Sequence, residues 1–303
     1  MKARRALSKP IIHPGLSQSL GENINGPSIV ERPDWAHGCG RYLLYFAHHH
    51  GRHIRLAWAN SLYGPWHIHE TGALQLQKTR FAQTPPDLPQ PEWALKHGLD
   101  AHVPHIASPD VHVNHQNRQF EMLFHGLDGD GIQKTCMAVS RNGLEWNVGE
   151  TLTEQTYLRR FDFGSRTYAI ALHGELMQLR DDGAIEHGPR PLSKSTRHVA
   201  VMKNGETLDI VFSRIGDRPE RLLHVRMAMN GNWLNWKCDG KPVELLRPEL
   251  EWEGAGLPKT VSHPGPTGFS CALRDPYLFR ENGRTWLIYA GGGESALGLA
   301  EII

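Results

Sequence analysis

The sequence predicts an all-β protein, a five-bladed β-propeller in which each blade is a three- to four-stranded antiparallel sheet. The first observation is a strand–turn–strand unit that occurs five times along the chain. The second is period-2 alternation of apolar residues, with almost no helical periodicity. The third is the abundance of Gly (31) and Pro (20), which suits many short strands joined by turns. Repeated units that bury their faces only against neighbouring units are typical of propellers.

The five units can be placed in order along the chain. The hairpins are predicted at 41–59, 118–140, 166–183, 206–227 and 284–302. A short strand precedes each of them, at 27–32, 109–113, 159–163, 197–202 and 274–279. We therefore predict one domain over 1–303, with an N-terminal extension at 1–24 and blades at 25–66, 105–146, 157–183, 197–236 and 272–303.

Two long Pro-rich segments interrupt the repeat, at 67–104 and 235–272. The repeat resumes after each segment, so neither is a linker. Loops of this length within a compact domain are usually functional rims or lids.

Composition excludes several kinds of partner. The chain has 33 Lys+Arg against 32 Asp+Glu, so its bulk charge indicates neither a nucleic-acid nor a membrane-surface partner. Cys39, Cys136, Cys238 and Cys271 form no framework spacing and are expected to be free thiols in a reducing compartment. The N-terminus has no apolar stretch after its basic start, and no run reaches transmembrane length. A cytoplasmic, soluble protein is expected.

Four short motifs resemble segments of glycoside hydrolase family 43 and its five-bladed relatives. "ANSLYGPW" (59–66) resembles an S-x-x-G-P-W strand ending, and "SPDVHV" (108–113) resembles an A-P-D-I-H-Y segment. "SRNGLEW" (140–146) is similar to an S-x-D-G-x-x-W turn, and "RDP" (274–276) is similar to a motif of families 32 and 68. The resemblance implies a five-bladed propeller and a carbohydrate ligand. In an active member it also implies three acidic residues on the first strands of three blades.

When the three acidic positions of the family are matched to this sequence, only one of them holds an acidic residue. Asp110 matches the blade-two carboxylate directly. In blade one, Gly26 of "NGPSIV" stands where the resemblance implies an aspartate. In blade three, "YLRRFDFG" offers Arg159 and Arg160 where it implies a glutamate. Two of the three family carboxylates are therefore absent by this match.

The predicted inner strands nevertheless open with polar residues that we expect near the propeller axis. They are Asn25, His105, Asp110, Arg159, Arg160, Arg197, His198, Arg274 and Asp275. If the protein is a glycosidase, we predict that Asp110 pairs with Asp275 or Glu220, with Asp217 and Glu294 as further candidates on loops. One carboxyl would be a general acid whose pKa is raised by burial, and the other a base or nucleophile. Alternatively, the Arg–Asp pairs hold neighbouring blades together, or the arginines bind an acidic sugar.

The histidine cluster of "YFAHHHGRH" (45–53) is the last candidate site. Strand alternation predicts that His48 and His50 share one face and that His49 points to the other, which argues against one metal ion bound by all three. His48, His50 and His125, which lies at a comparable strand end, are predicted to contact substrate. We predict no metal and no cofactor; an axial calcium, which some relatives hold, has no support in the sequence.

Three hypotheses for function follow. The first is a glycoside hydrolase-like protein that acts on a small carbohydrate in the central cavity. The second is a non-catalytic carbohydrate-binding or sensing propeller. Gly26, Arg159 and Arg160 favour it, because they stand where the resemblance implies catalytic carboxylates. The third is a protein-interaction propeller, which the polar strand openings disfavour.

Overall fold

The computed structural model describes residues 1–180 and 182–303. Its strands, in chain order, are β1 (Ala3–Arg5), β2 (Asn25–Glu31), β3 (Tyr42–Ala47), β4 (His53–Ala59), β5 (His67–Gln75), β6 (Ile106–Asn114), β7 (Gln119–Leu127), β8 (Gln133–Ser140), β9 (Asn147–Thr153), β10 (Arg159–Phe163), β11 (Arg166–Ile170), β12 (Leu176–Leu179), β13 (Ile185–His187), β14 (Thr196–Asn204), β15 (Thr207–Arg214), β16 (Leu222–Ala228), β17 (Lys237–Leu246), β18 (Leu273–Glu281), β19 (Arg284–Gly291) and β20 (Ala296–Ile302).

Helical structure in the described residues is confined to short pieces. The α-helix α1 spans Glu92–His97. Single 3₁₀ turns lie at Pro14–Leu16, Gln18–Leu20, Leu76–Lys78, Leu172–Gly174, Trp233–Asn235 and Glu251–Glu253. No helix in the described residues is long and apolar enough to cross a membrane.

The strands form five four-stranded antiparallel sheets, which confirms the predicted all-β, five-bladed propeller. Four blades follow chain order: β2–β5, β6–β9, β10–β13 and β14–β17. The fifth has the order β1-β20-β19-β18, so the first strand of the chain completes the last blade. Ala3 pairs with Ile302, and Ile12 forms a further bridge to Leu297. Residues 1–24 therefore include a strand of the fifth blade, which apolar alternation did not predict because β1 has only three residues and two of them are arginines.

Four blades extend beyond their predicted last residues, because their outermost strands, β5, β9, β13 and β17, are largely polar or exposed. The predicted loop at 67–104 begins with strand β5, and the one at 235–272 contains β17. Most residues of β9 and β17 are exposed or partly exposed, so these strands lack apolar alternation. The loops that remain, 76–105 and 247–272, meet at the end of the propeller where the inner strands begin. There the ring of His97 stacks on that of His263, with centroids 5.3 Å apart, and the Leu99 side chain packs against Gly265.

Two of the motif tryptophans fill the cores between blades. Trp66 and Trp146 are buried, and their indole N–H groups donate to the carbonyls of Leu62 and Gly143. The Tyr45 hydroxyl also donates to the Gly143 carbonyl, at 2.8 Å, and so joins the first blade to a turn of the second. These motifs therefore stabilise packing between blades and leave the axis free for other residues.

Candidate functional site

The inner strands β2, β6, β14 and β18 each bulge near their first residues, and this bulge turns polar groups toward the axis. The antiparallel register skips two residues in each strand, for example between Asn25 and Ser28 and between Arg274 and Tyr277. Ser108 and Asp275 adopt positive φ at the bulges of β6 and β18, as does Gly26 in β2. Bulges commonly re-aim side chains at functional sites.

Arg159 lies on the axis and contacts every blade. Its guanidinium donates to the carbonyls of Pro27 (3.2 Å), Pro109 (2.6 Å) and Val199 (3.2 Å), which belong to blades one, two and four. It also lies over the ring of Tyr277 in blade five, 5.3 Å from the centroid. Arg159 itself begins the inner strand of blade three and is buried. A guanidinium therefore closes the channel on which the five inner strands converge.

Asp110 lies against this guanidinium and is 2% exposed. Its Oδ1 atom is 3.6 Å from Arg159 Nη1, and its Oδ2 atom accepts from His112 Nε2 (2.9 Å) and from the backbone N–H of Arg160 (2.8 Å). Burial acts to raise the pKa of Asp110, but His112, Arg159 and the backbone N–H outweigh it and hold that pKa below its usual range. The carboxylate stays ionised, so its surroundings do not support the raised pKa that a general acid needs.

Glu220 lies in a buried ionic network. It accepts from Arg197 Nε (2.8 Å) and Arg274 Nε (2.8 Å), and also from the hydroxyls of Ser213 and Ser262. Arg197 and Arg274 also donate to the carbonyls of His263 and Gly265, on the loop at 247–272. These contacts occupy much of both guanidiniums, which weakens the expectation that they bind an acidic sugar.

Glu294 enters the axial region from the turn between β19 and β20. Its Oε1 atom accepts from Arg274 Nη1 (2.9 Å), and its Oε2 atom accepts from the side chains of Asn23 (3.0 Å) and Asn25 (3.2 Å). His49 Nδ1 lies 3.3 Å from the same Oε2. Burial acts to raise the pKa of Glu294, but His49, Arg274 and Asn23 outweigh it and hold that pKa well below its usual range.

Asp275 forms the opposite wall of this region. One of its oxygens accepts from the backbone N–H of Gly26 (3.2 Å), and the other contacts His198 Nδ1. Among the described residues, no Arg or Lys forms an ion pair with Asp275. His198 is buried, and burial lowers its pKa well below the ordinary value, so its imidazole is neutral.

Two cavities lie in this region. The inner one, the axial cavity, has a volume of about 10 Å³ and is lined by Asn25, His49, His105, Ala107, Ser108, Tyr157 and His198. The outer one, the mouth groove, has a volume of about 510 Å³ and is lined by Pro14, Glu22, Asn23, His48, His49, His50, Pro266, Thr267, Gly268, Phe269 and Ser295. His49 lines both cavities, so its side chain lies between them.

The structure places the three consecutive histidines after the strand and not within it. His48 and His50 follow β3 in a turn, where strand alternation does not apply, and the His50 backbone N–H donates to His48 Nδ1. His49 is the residue that reaches the axis. No local pattern predicts this orientation, because Glu294, the residue that His49 Nδ1 contacts, lies 245 positions away.

The remaining predicted residues lie at different depths. His105 lines the axial cavity, whereas His125 is buried behind Tyr157, with ring centroids 4.3 Å apart. Arg160 forms an ion pair with Glu121, and Asp217 forms one with Arg214. Tyr157 was missed, although it lies two residues before Arg159, as Ser108 does before Asp110. Among the described residues, no group of three or more His, Cys, Asp or Glu is arranged to hold a metal ion.

Comparison with solved structures identifies the architecture. A thermostable family-43 glycoside hydrolase matches with a TM-score of 0.63 at 13% identity, over 93% of this chain and 90% of its own. A β-xylosidase/α-arabinofuranosidase from a compost microbial metagenome, in complex with xylotriose, matches with a TM-score of 0.63 at 12% identity, over 99% and 95%. The Cellvibrio cellulosa α-L-arabinanase complexed with arabinohexaose matches with a TM-score of 0.55 at 12% identity, over 93% of this chain and 92% of its own. The fold is that of family-43 glycoside hydrolases.

Sequence comparison adds one relative. The uncharacterized protein R118 of Acanthamoeba polyphaga mimivirus is 29% identical over 308 residues, which span 92% of this chain and 83% of the viral protein. No protein-family model matches the chain.

The bulge of the first blade at Gly26 has no room for a side chain. A Cβ atom on Gly26 would lie 3.2 Å from the Ser108 Cα atom, and Gly26 has a φ of +57°, so the backbone itself disfavours a side chain there. Asp275-Pro276 occupies in the fifth blade the bulge position that Gly26-Pro27 occupies in the first. The carboxylate beside Gly26 therefore comes from another blade.

The buried histidines predict a stability that falls in acid. Burial lowers the pKa of His105 to about 4, and lowers the pKa values of His125 and His198 well below 6.5. The unfolded chain therefore binds more protons than the folded one below pH 6.5, and stability is lost as the pH falls toward 4. His105 alone contributes on the order of 3 kcal/mol to this loss. Urea unfolding at pH 7.0, 5.5 and 4.5 measures it, and an unfolding midpoint that stays constant over this range contradicts the prediction.

Proposed function

We propose that the protein binds a small carbohydrate in the mouth groove and does not cleave it through the carboxylate set that the family resemblance implies. The observation that carries this proposal is Asp110. It is the one residue that matches that set, yet it is 2% exposed and paired with Arg159 and His112.

The state of the carboxylates argues against the two-carboxylate reaction. Glycosidic hydrolysis needs one carboxyl that is protonated near neutral pH and a second that is ionised. The pKa values of Asp110 and Glu294 are both held low by their partners. Glu220 is shared by two guanidiniums. None of these three residues has the surroundings of a general acid.

The mouth groove has the character of a sugar site. Its volume of about 510 Å³ lies within the usual range of small-molecule sites. The Phe269 ring is 54% exposed on one wall and offers an apolar face for the C–H groups of a sugar ring. Imidazoles of His48 and His50 and the amide of Asn23 supply hydrogen bonds for hydroxyl groups.

Binding can be tested by calorimetric titration with xylotriose, arabino-oligosaccharides and monosaccharides. We expect at least one sugar to bind. We expect Phe269→Ala to lower the affinity for that sugar about tenfold, because the stacking surface is lost. Leu95→Ala, on the exposed face of α1, is the control and should leave binding unchanged. No heat and no thermal stabilisation with any sugar would refute the proposal.

A second candidate is hydrolysis that depends on Asp275. The observation that favours it is that Asp275 faces His198 and Gly26 without an Arg or Lys ion-pair partner among the described residues. A panel of aryl glycosides, tested on the wild type, Asp275→Asn and Asp110→Asn, separates the two functions. Turnover that Asp275→Asn abolishes supports hydrolysis, whereas no turnover by any of the three supports binding alone.

A further inference from the structure

Three imidazoles of the axial cavity share one arrangement, in which the Nδ1 atom faces a protein acceptor. His105 Nδ1 lies 2.7 Å from the Val103 carbonyl oxygen, and His49 Nδ1 lies 3.3 Å from Glu294 Oε2. His198 Nδ1 contacts Asp275 Oδ1. A carbonyl or carboxylate oxygen can only accept, so the Nδ1 atoms of His105 and His49 carry a proton, whereas neither ring nitrogen of His198 forms a hydrogen bond among the described residues.

A neutral imidazole protonated at Nδ1 has a lone pair at Nε2. Burial lowers the pKa values of His105 and His198, so both rings are neutral. His198 Nε2 is buried and has no hydrogen-bond partner among the described residues. The side chains that line the axial cavity therefore include two neutral imidazoles, of His105 and His198, each with a ring nitrogen that can accept a hydrogen bond.

The size of the cavity limits what these acceptors can bind. About 10 Å³ accommodates one group of the size of a water molecule. Metal ions need ligand nitrogens about 2.0–2.1 Å away, and no cluster in the described residues is arranged that tightly. Hydrogen-bond donors need wider spacing, of about 2.7–3.2 Å, which suits a small group with several N–H or O–H bonds.

The charges around the cavity favour a cation. Three buried carboxylates, of Glu220, Asp275 and Glu294, face two guanidiniums, of Arg197 and Arg274. Together these three carboxylates and two guanidiniums carry one net negative charge. Asp275 is the carboxylate of this group without a guanidinium partner, and its His198 partner lines the cavity.

We propose that the axial cavity binds a primary ammonium group and that the carbohydrate of the proposed function is therefore an amino sugar. An ammonium group has three N–H donors, enough for the two neutral imidazoles and for the unpartnered oxygen of Asp275, whereas a hydroxyl group has one. It also supplies the positive charge that Asp275 lacks. His49 lines both cavities, so a sugar in the mouth groove can extend its amino group past His49 into the axial cavity. This inference rests on the proposed function.

The test compares matched sugars by calorimetric titration at pH 7: 2-amino-2-deoxyglucose, 6-amino-6-deoxyglucose, the N-acetylated form of the first, and glucose. We expect at least one of the two amines to bind about tenfold more tightly than glucose, because hydrogen bonds to a charged group are the stronger kind. The N-acetylated sugar, which has lost the charge and two donors, should show no such gain. Affinities of both amines equal to or weaker than that of glucose overturn the proposal.

Two variants of His198 locate the effect. His198→Asn keeps a donor near the Nδ1 position, facing Asp275, but removes the Nε2 acceptor, so the preference for the amine should disappear. His198→Gln returns a polar atom near the Nε2 position and should restore part of the preference. Glucose binding should be unchanged in both variants, which shows that the groove is folded. An amine preference that survives in His198→Asn overturns the assignment to the axial cavity, and failure of every sugar, neutral or amino, overturns the proposed function instead.

Discussion

Replacing Arg159 with methionine is expected to lower the free energy of unfolding by about 3–5 kcal/mol, the usual cost of removing one partner of a buried ion pair. The change leaves Asp110 without its guanidinium, and it leaves the carbonyls of Pro27, Pro109 and Val199 without a donor. Methionine matches the length of the arginine stem, so the loss reports on charge and hydrogen bonds more than on volume. Urea unfolding at pH 7, followed by tryptophan fluorescence, measures the change.

Two comparisons make the Arg159 result interpretable. Arg41→Met removes an arginine from an exposed pair with Glu31 and should change stability little. The double variant Arg159→Met/Asp110→Asn removes both charges and should recover part of the lost stability, because no uncompensated carboxylate remains. If Arg159→Met unfolds at the same urea concentration as the wild type, the guanidinium does not hold the inner strands together.

Glu220→Gln is expected to lower the free energy of unfolding by a similar amount, about 3–5 kcal/mol, for a different reason. The carboxylate separates two buried guanidiniums, of Arg197 and Arg274, and its removal leaves two positive charges close together. Ser262 also donates to Glu220, so the substitution weakens the attachment of the loop at 247–272. We expect faster proteolytic cleavage within that loop as well as a lower urea midpoint.

The control for Glu220 is Glu249→Gln, the same chemical change at an exposed carboxylate that pairs with Arg5. It should leave both the midpoint and the cleavage rate near wild-type values. Equal cleavage rates in Glu220→Gln and wild type would show that the network does not hold the loop.

The sequence predicted those features of the fold that depend on local pattern. Alternating apolar residues marked the inner strands and the hairpins of all five blades, since each such strand buries at least one face. The same reasoning missed β1, β5, β9, β13 and β17. Their residues are largely polar or exposed, and they are held mainly by backbone hydrogen bonds, which leave little trace in side-chain periodicity.

The candidate site was predicted only as a set of residues. The positions of the strand openings predict that one end of the propeller holds Asp110, Arg159, Arg197, His198, Arg274 and Asp275. Their partners were not predictable, because Arg159 binds Pro27 from 132 positions away and Asn25 binds Glu294 from 269 positions away. His48 and His50 were chosen over His49 by an alternation rule that fails in a turn.

The sequence by itself determined that five similar sheets surround an axis lined with charged and imidazole side chains. Only the tertiary structure decided that the ionised Asp110 lies beside the Arg159 guanidinium, that Glu220 contacts the loop at 247–272, and that three imidazoles line one small cavity. The physical reason is that strand formation depends on residues one or two positions apart. The charge and hydrogen-bond state of an axial side chain depends instead on whichever residues the other four blades bring to the same point.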